Sequence, residues 1–110
     1  VRSMSVRARP HFCSLNAAVD ILSGKWKILL LWELLEQPRR FGELRRLVPG
    51  IREKVLIEQL RELEADGVVA RKAFDGTRLH VEYSLTEAGV ALTRALEPLT
   101  QWSLEHVVPR

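Results

Sequence analysis

The stretch Phe41–Thr86 reads FGELRRLVPGIREKVLIEQLRELEADGVVARKAFDGTRLHVEYSLT. Its apolar period changes partway along. Phe41, Leu44, Leu47 and Val48 recur at helical spacing, and Pro49-Gly50 then makes a turn. Leu56, Leu60 and Leu63 form one narrow stripe on a second helix over Arg52–Asp66, with Gly67 in the C′ role that ends it. From Val68 the spacing is two: Val68–Phe74 and Leu79–Leu85 are strand-like, with Asp75-Gly76 between them. Asp-Gly between alternating runs is a strong hairpin signal, because both residues tolerate the backbone of a tight turn. Thr86 closes the stretch as the cap of a further helix.

Working outward, Leu15, Ala18, Val19 and Leu22 lie on one face of a helix over Ser14–Leu22, capped by Ser14 and ended by Ser23-Gly24. A second helix, about Trp26–Glu36, is apolar on most sides through Ile28, Leu29, Leu30, Leu31, Leu34 and Leu35, which predicts the most buried helix of the domain. Gln37-Pro38 stops it, and Arg39–Phe41 reads as one short strand. Downstream, a helix over about Glu87–Glu105 presents Ala88, Leu92, Ala95, Leu96 and Leu99. Pro98 lies inside it and denies the Arg94 carbonyl its partner, which predicts a kink or break nearby. The order is helix, helix, short strand, helix, helix, hairpin, helix. That is a mainly α fold with a small β-hairpin wing (α+β), a winged helix-turn-helix.

The 110 residues suffice for one domain with one modest core, and the composition, 46% hydrophobic and 28% charged, is that of a folded domain. The net charge is +3 and the pI about 9.5. Where the charge sits says more: Arg39, Arg40, Arg45, Arg46, Arg52, Lys54 and Arg61 crowd the two-helix segment against Glu43, Glu53 and Glu58, a bias that favours phosphate. The single cysteine excludes an intrachain disulfide and fits a reducing, cytoplasmic setting. The longest apolar stretch, Ile28–Leu31 with Trp32, is too short to cross a bilayer, so no membrane partner is expected. The N-terminal arginines precede no apolar signal core, so no secretion signal is expected. His11, His80 and His106 have no metal-ligand spacing, and neither a nucleophile–base pair nor a glycine-rich phosphate loop is present. No enzymatic activity, metal or cofactor is expected.

A set of short words, in order, resembles the HxlR-type transcriptional regulators of the MarR-like superfamily. They are Gly24-Lys25-Trp26, Arg40-Phe41-Gly42-Glu43-Leu44, Pro49-Gly50-Ile51, Leu56, Gln59–Glu64, Asp66-Gly67-Val68, Val81–Thr86 and Gly89, with Cys13 before the first helix and Trp102 late in the last. The resemblance covers about residues 13–103. It implies a DNA-binding homodimer whose first and last helices form the interface. Arg52 stands where the family usually has Ser, Ile57 where it often has Thr, and Pro98 is unusual for it. The expected layout is a flexible basic arm over 1–12, the winged domain over 13–106 with its recognition helix at about 52–66 and wing at about 68–85, and a tail over 107–110.

With Leu56, Leu60 and Leu63 inward, the ~100° turn per residue puts Lys54, Ile57, Glu58 and Arg61 on the opposite face, the one laid in the major groove. Arg61 can pair with guanine or phosphate, Glu58 can accept from cytosine and Ile57 can touch a thymine methyl. Arg52 at the helix start reaches phosphate or a base edge, Arg78 at the wing is the minor-groove candidate, and Arg39 and Arg40 are backbone candidates. Phe41, Tyr83, Trp26 and Trp32 are expected in the core. Leu15, Leu92, Leu96, Leu99 and Trp102 are the candidate dimer interface, since together they would leave a large apolar patch on a monomer. Cys13, just before a helix N-terminus and near Arg9 and His11, is a candidate redox or electrophile sensor, set against the plainer reading of a small buried residue. A regulator with a non-thiol small-molecule effector, and a winged helix used for protein or RNA contact, are the alternatives.

Overall fold

The computed structural model describes residues 14–76 and 78–109. The N-terminal arm, Cys13 and Thr77 lie outside the described residues. The elements in chain order are α1 (Ser14–Leu22), α2 (Lys27–Glu36), β1 (Arg39–Arg40), α3 (Phe41–Leu47), α4 (Glu53–Ala65), β2 (Val69–Phe74), β3 (His80–Leu85), α5 (Glu87–Ala95) and α6 (Glu97–His106). The strands form one antiparallel sheet in the order β1-β3-β2, with Arg39 opposite Tyr83 and Phe74 opposite His80. This is the winged helix-turn-helix arrangement that the change of period implied.

The core is where the helical stripes meet. Leu30, Leu31 and Leu34 of α2, Leu44 of α3 and Leu56, Leu60 and Leu63 of α4 are buried, joined by Val48, Ile51, Val68 and Val69. Each such leucine contributes about 1.5–3 kcal/mol through burial. Trp26, Phe41 and Tyr83 pack against this cluster and are partly exposed. Leu47, expected inward, is 39% exposed, since α3 is short and Val48 takes the inward position at its end. α2 also carries a surface: Ile28 and Leu29 face outward while Lys27 is buried.

The end of α4 is fixed by glycine geometry. Gly67 has φ +79°, the Gly67 amide donates to the Glu64 carbonyl at 2.9 Å, and the Val68 amide donates to the Leu63 carbonyl at 3.1 Å. These two bonds make a Schellman stop, which turns the chain straight into β2. At the far end of the wing, Thr86 caps α5 by accepting from the Gly89 amide at 3.0 Å, and its hydroxyl donates to the Gly67 carbonyl at 2.7 Å. Gly89 lies so close to the wing that a β-carbon there would sit 2.0 Å from the Val68 carbonyl oxygen.

That approach decides which face of α5 turns inward. Gly89 and Thr93 are buried, with the Thr93 hydroxyl donating to the Gly89 carbonyl at 2.8 Å, and Leu96 is buried with them. Ala88 and Ala95, expected on the apolar face, are exposed. The break expected near Pro98 falls at Leu96, and Pro98 sits in the first turn of α6, where its missing amide costs nothing. The wing turn also differs from a two-residue Asp-Gly turn: Phe74 pairs with His80, so the loop spans 75–79.

Gly89→Ala is expected to destabilise the fold by about 1–3 kcal/mol, because the new methyl meets backbone that cannot rotate away. Thermal and urea denaturation would read this as a Tm loss of several degrees, and an unchanged Tm would refute the tight approach.

Candidate nucleic-acid interface

The face of α4 opposite its leucine stripe is open. Lys54, Ile57, Glu58 and Arg61 line one shallow groove together with Glu53, as the helical spacing required. Arg52 is the N-cap of α4 and is exposed, with its carbonyl accepting from the Leu56 amide at 2.9 Å. Arg40 is the N-cap of α3, held by Glu43, whose carboxylate accepts from the Arg40 amide at 2.7 Å. Arg78 is exposed in the wing loop.

The basic side chains divide into committed and uncommitted ones. Arg39 is 11% exposed; its Nε donates to the Glu33 carbonyl at 3.2 Å, and its guanidinium lies 2.8 Å from Glu36 and 3.5 Å from Glu33. It ties the end of α2 to β1, which is a different position from the backbone contact expected of it. Arg45 is 3.5 Å from Glu53, an exposed pair that links α3 to α4. Among the described residues, Arg40, Arg52, Lys54, Arg61 and Arg78 form no ion pair.

A buried cation ties α2 to α4. Lys27, 1% exposed, pairs from the start of α2 with Glu62 on α4, whose side chain is 46% exposed. Removing an ammonium from water costs several kcal/mol unless an anion meets it. The pair therefore holds α4 at a set position along α2. The pairing was not legible in the sequence, because a lysine beside a hydrophobic run reads as a helix-end charge.

A second groove lies between α4 and the wing. Glu53, Ile57, Arg61 and Glu64 line it from α4, Phe41 from α3, Arg71 from β2, and Val81 and Tyr83 from β3. Arg71 was missed in the sequence, although the alternation from buried Val69 puts it on the same face of the sheet.

The expected interface residues separate. Leu96 is buried and Leu92 packs on the core, whereas Leu15, Leu99 and Trp102 are exposed, Leu99 at 61%. Trp102 stacks on His106 with ring centroids 5.0 Å apart, and His80 stacks on Phe74, so both histidines serve local packing. Among the described residues no group of three or more possible metal ligands is present, and no helix is long and apolar enough to cross a membrane.

A helix-turn-helix with an open outer helix face, followed by a wing, is the architecture of the DNA-binding head of a transcriptional regulator. The profile of the HxlR-like helix-turn-helix family matches residues 21–110, and the chain belongs to that family. The HTH-type transcriptional regulator YkvN of Bacillus subtilis is 44% identical over 90 residues, covering 82% of this chain and 76% of YkvN. A MarR-family transcriptional regulator from Enterococcus faecalis superposes with a TM-score of 0.81 at 39% identity, over 93% of each chain. The reduced form of the regulator YodB from B. subtilis superposes with a TM-score of 0.83 at 32% identity, over 91% of this chain and 99% of YodB. Diamide-treated YodB gives 0.76 at 33% identity, over 90% and 100%.

Lys27→Met, which keeps the volume and removes the charge, is expected to leave stability within about 1 kcal/mol. Glu62→Ala strands the buried ammonium and is expected to cost about 1–3 kcal/mol. Urea melts of the two variants check the order; the reverse order would refute the reading of the pair.

Proposed function

We propose that the chain binds an operator in double-stranded DNA as a homodimer, with α4 in the major groove and the wing toward the flanking minor groove. The observation that carries this is the open face of Lys54, Ile57, Glu58 and Arg61, whose cations form no ion pair among the described residues. Arg61 and Glu58 offer base-edge partners and Ile57 an apolar contact for a thymine methyl. Arg52 and Arg40 at two helix starts, and Arg78 on the wing, suit the sugar–phosphate strands.

Homodimerisation is supported by apolar surface on the flanking helices. Leu15 and Val19 of α1, and Leu99, Trp102 and Leu104 of α6, are exposed, and neither helix has a buried residue of its own. Patches of this kind mark association. In the proposed dimer Leu92 and Leu96 support α5 from within the subunit rather than touching the partner.

Control through Cys13 is the second part of the proposal. Cys13 directly precedes α1 in the sequence and is two residues from Leu15, which with Val19 makes the exposed apolar surface of that helix. The similar YodB is a protein with reduced and diamide-treated forms, and diamide oxidises thiols. With one cysteine per chain, a disulfide would join two subunits or a small thiol.

Selection from a random duplex pool is expected to return two half-sites about one helical turn apart, or a multiple of it. Lys54→Ala with Arg61→Ala should weaken binding to the selected duplex by about tenfold or more. Unchanged affinity would refute the reading face, and equal affinity for single-stranded RNA would favour RNA contact instead. Mass spectrometry after diamide or quinone treatment is expected to find Cys13 modified and operator binding changed; an unmodified Cys13 with unchanged binding rules the sensor out.

A further inference from the structure

The groove between α4 and the wing carries a residue that the reading face leaves unused. Arg71 and Tyr83 are cross-strand partners on the face of the sheet shared with buried Val69 and half-buried Leu85, and this face is turned toward α4. Arg61 enters the same groove from the helix side. Neither Arg61 nor Arg71 forms an ion pair among the described residues. The outer face of the wing is arranged differently. There Arg40, Glu82 and Lys72 stand in register across the three strands, His80 Nε2 lies 3.3 Å from Glu82, and Lys72 lies over the Phe74 ring. The inner groove holds two guanidinium groups that form no ion pair among the described residues, those of Arg61 and Arg71, beside the carboxylates of Glu64 and of Glu53, which Arg45 meets at 3.5 Å.

Duplex geometry names an occupant for that groove. A helix in the major groove and a wing in the adjacent minor groove have between them the sugar–phosphate strand that divides the two grooves. A guanidinium matches a phosphate in shape and charge, and binds it through two parallel hydrogen bonds. We propose that one phosphodiester strand of the duplex lies in the α4–wing groove, and that Arg71 is a backbone clamp opposite Arg61. This rests on the reading of α4 as the recognition helix. Glu64, a carboxylate in the same groove, then opposes the strand and limits how deeply it enters.

The test is a salt series of anisotropy titrations of the full chain, on the duplex selected from a random pool and on a scrambled duplex. Arg71→Ala is expected to lower affinity for both by about fivefold or more, and to reduce the slope of log K against log salt by about 1 for each clamp. The ratio of selected to scrambled affinity stays unchanged. Arg71→Lys is expected to keep most of the slope, and Glu64→Gln to tighten binding, two results that a loss of folding would not give. If the wild-type chain prefers the selected duplex but Arg71→Ala leaves the slope intact, or erases the preference instead, the clamp is overturned while the reading of α4 stands. If the wild-type chain shows no duplex binding, the reading of α4 falls and the clamp with it.

Discussion

α4, the wing and α5 are held in one arrangement by the contact of Gly67-Val68 with Thr86 and Gly89. The Thr86 hydroxyl both donates to the Gly67 carbonyl and accepts from the Gly89 amide, so one side chain joins the end of α4 to the start of α5. The Val68 carbonyl accepts from the Thr86 amide at 3.1 Å while Gly89 packs against it. Each bond alone contributes about 1 kcal/mol. Their joint effect is geometric: the wing leaves and returns at one point, so its angle to α4 is set at its base, and the α4–wing groove keeps its shape without anything spanning the open end.

Charge follows the same economy. Cations that hold the frame are met by carboxylates within the chain: Lys27 by Glu62, Arg39 by Glu33 and Glu36, Arg45 by Glu53. Those on α4's outer face, at the starts of α3 and α4, and on the wing form no such pairs among the described residues. A polyanion gains most from cations whose compensation it does not have to displace. The modest net charge of +3 therefore does not show how the unpaired cations are distributed over the surface.

Most of the element order was legible because each element carries a periodic apolar pattern and a stop. Gly67 ended α4 and Thr86 began α5 as their chemistry required, and the two-residue strand at Arg39 was visible beside Pro38. The inward face of α5 was not legible. Counting apolar letters chose Ala88 and Ala95, but the helix turns Gly89 and Thr93 inward, since only glycine fits against the Val68 carbonyl and Thr93 satisfies its own hydroxyl. Lys27 and Arg39 escaped for a related reason: burial of a cation depends on a carboxylate brought close by the fold, and for Lys27 that partner is on another helix. The open outer face of α4 was legible because it is the complement of a three-leucine stripe, whereas Arg71 needed the sheet's register against α4 before its direction had meaning.

The interruption at Leu96 divides the C-terminal segment into two parts with different duties. α5 is bound into the core through Gly89, Thr93 and Leu96, while α6 has no buried residue. A continuous helix would transmit any change in its outer half straight into the core packing. A helix restarted at a proline does not, because the angle at the joint can change through a few residues while both halves keep their own hydrogen bonds. The segment can thus diverge at the joint, altering what its outer half presents, without altering the shape of the reading head.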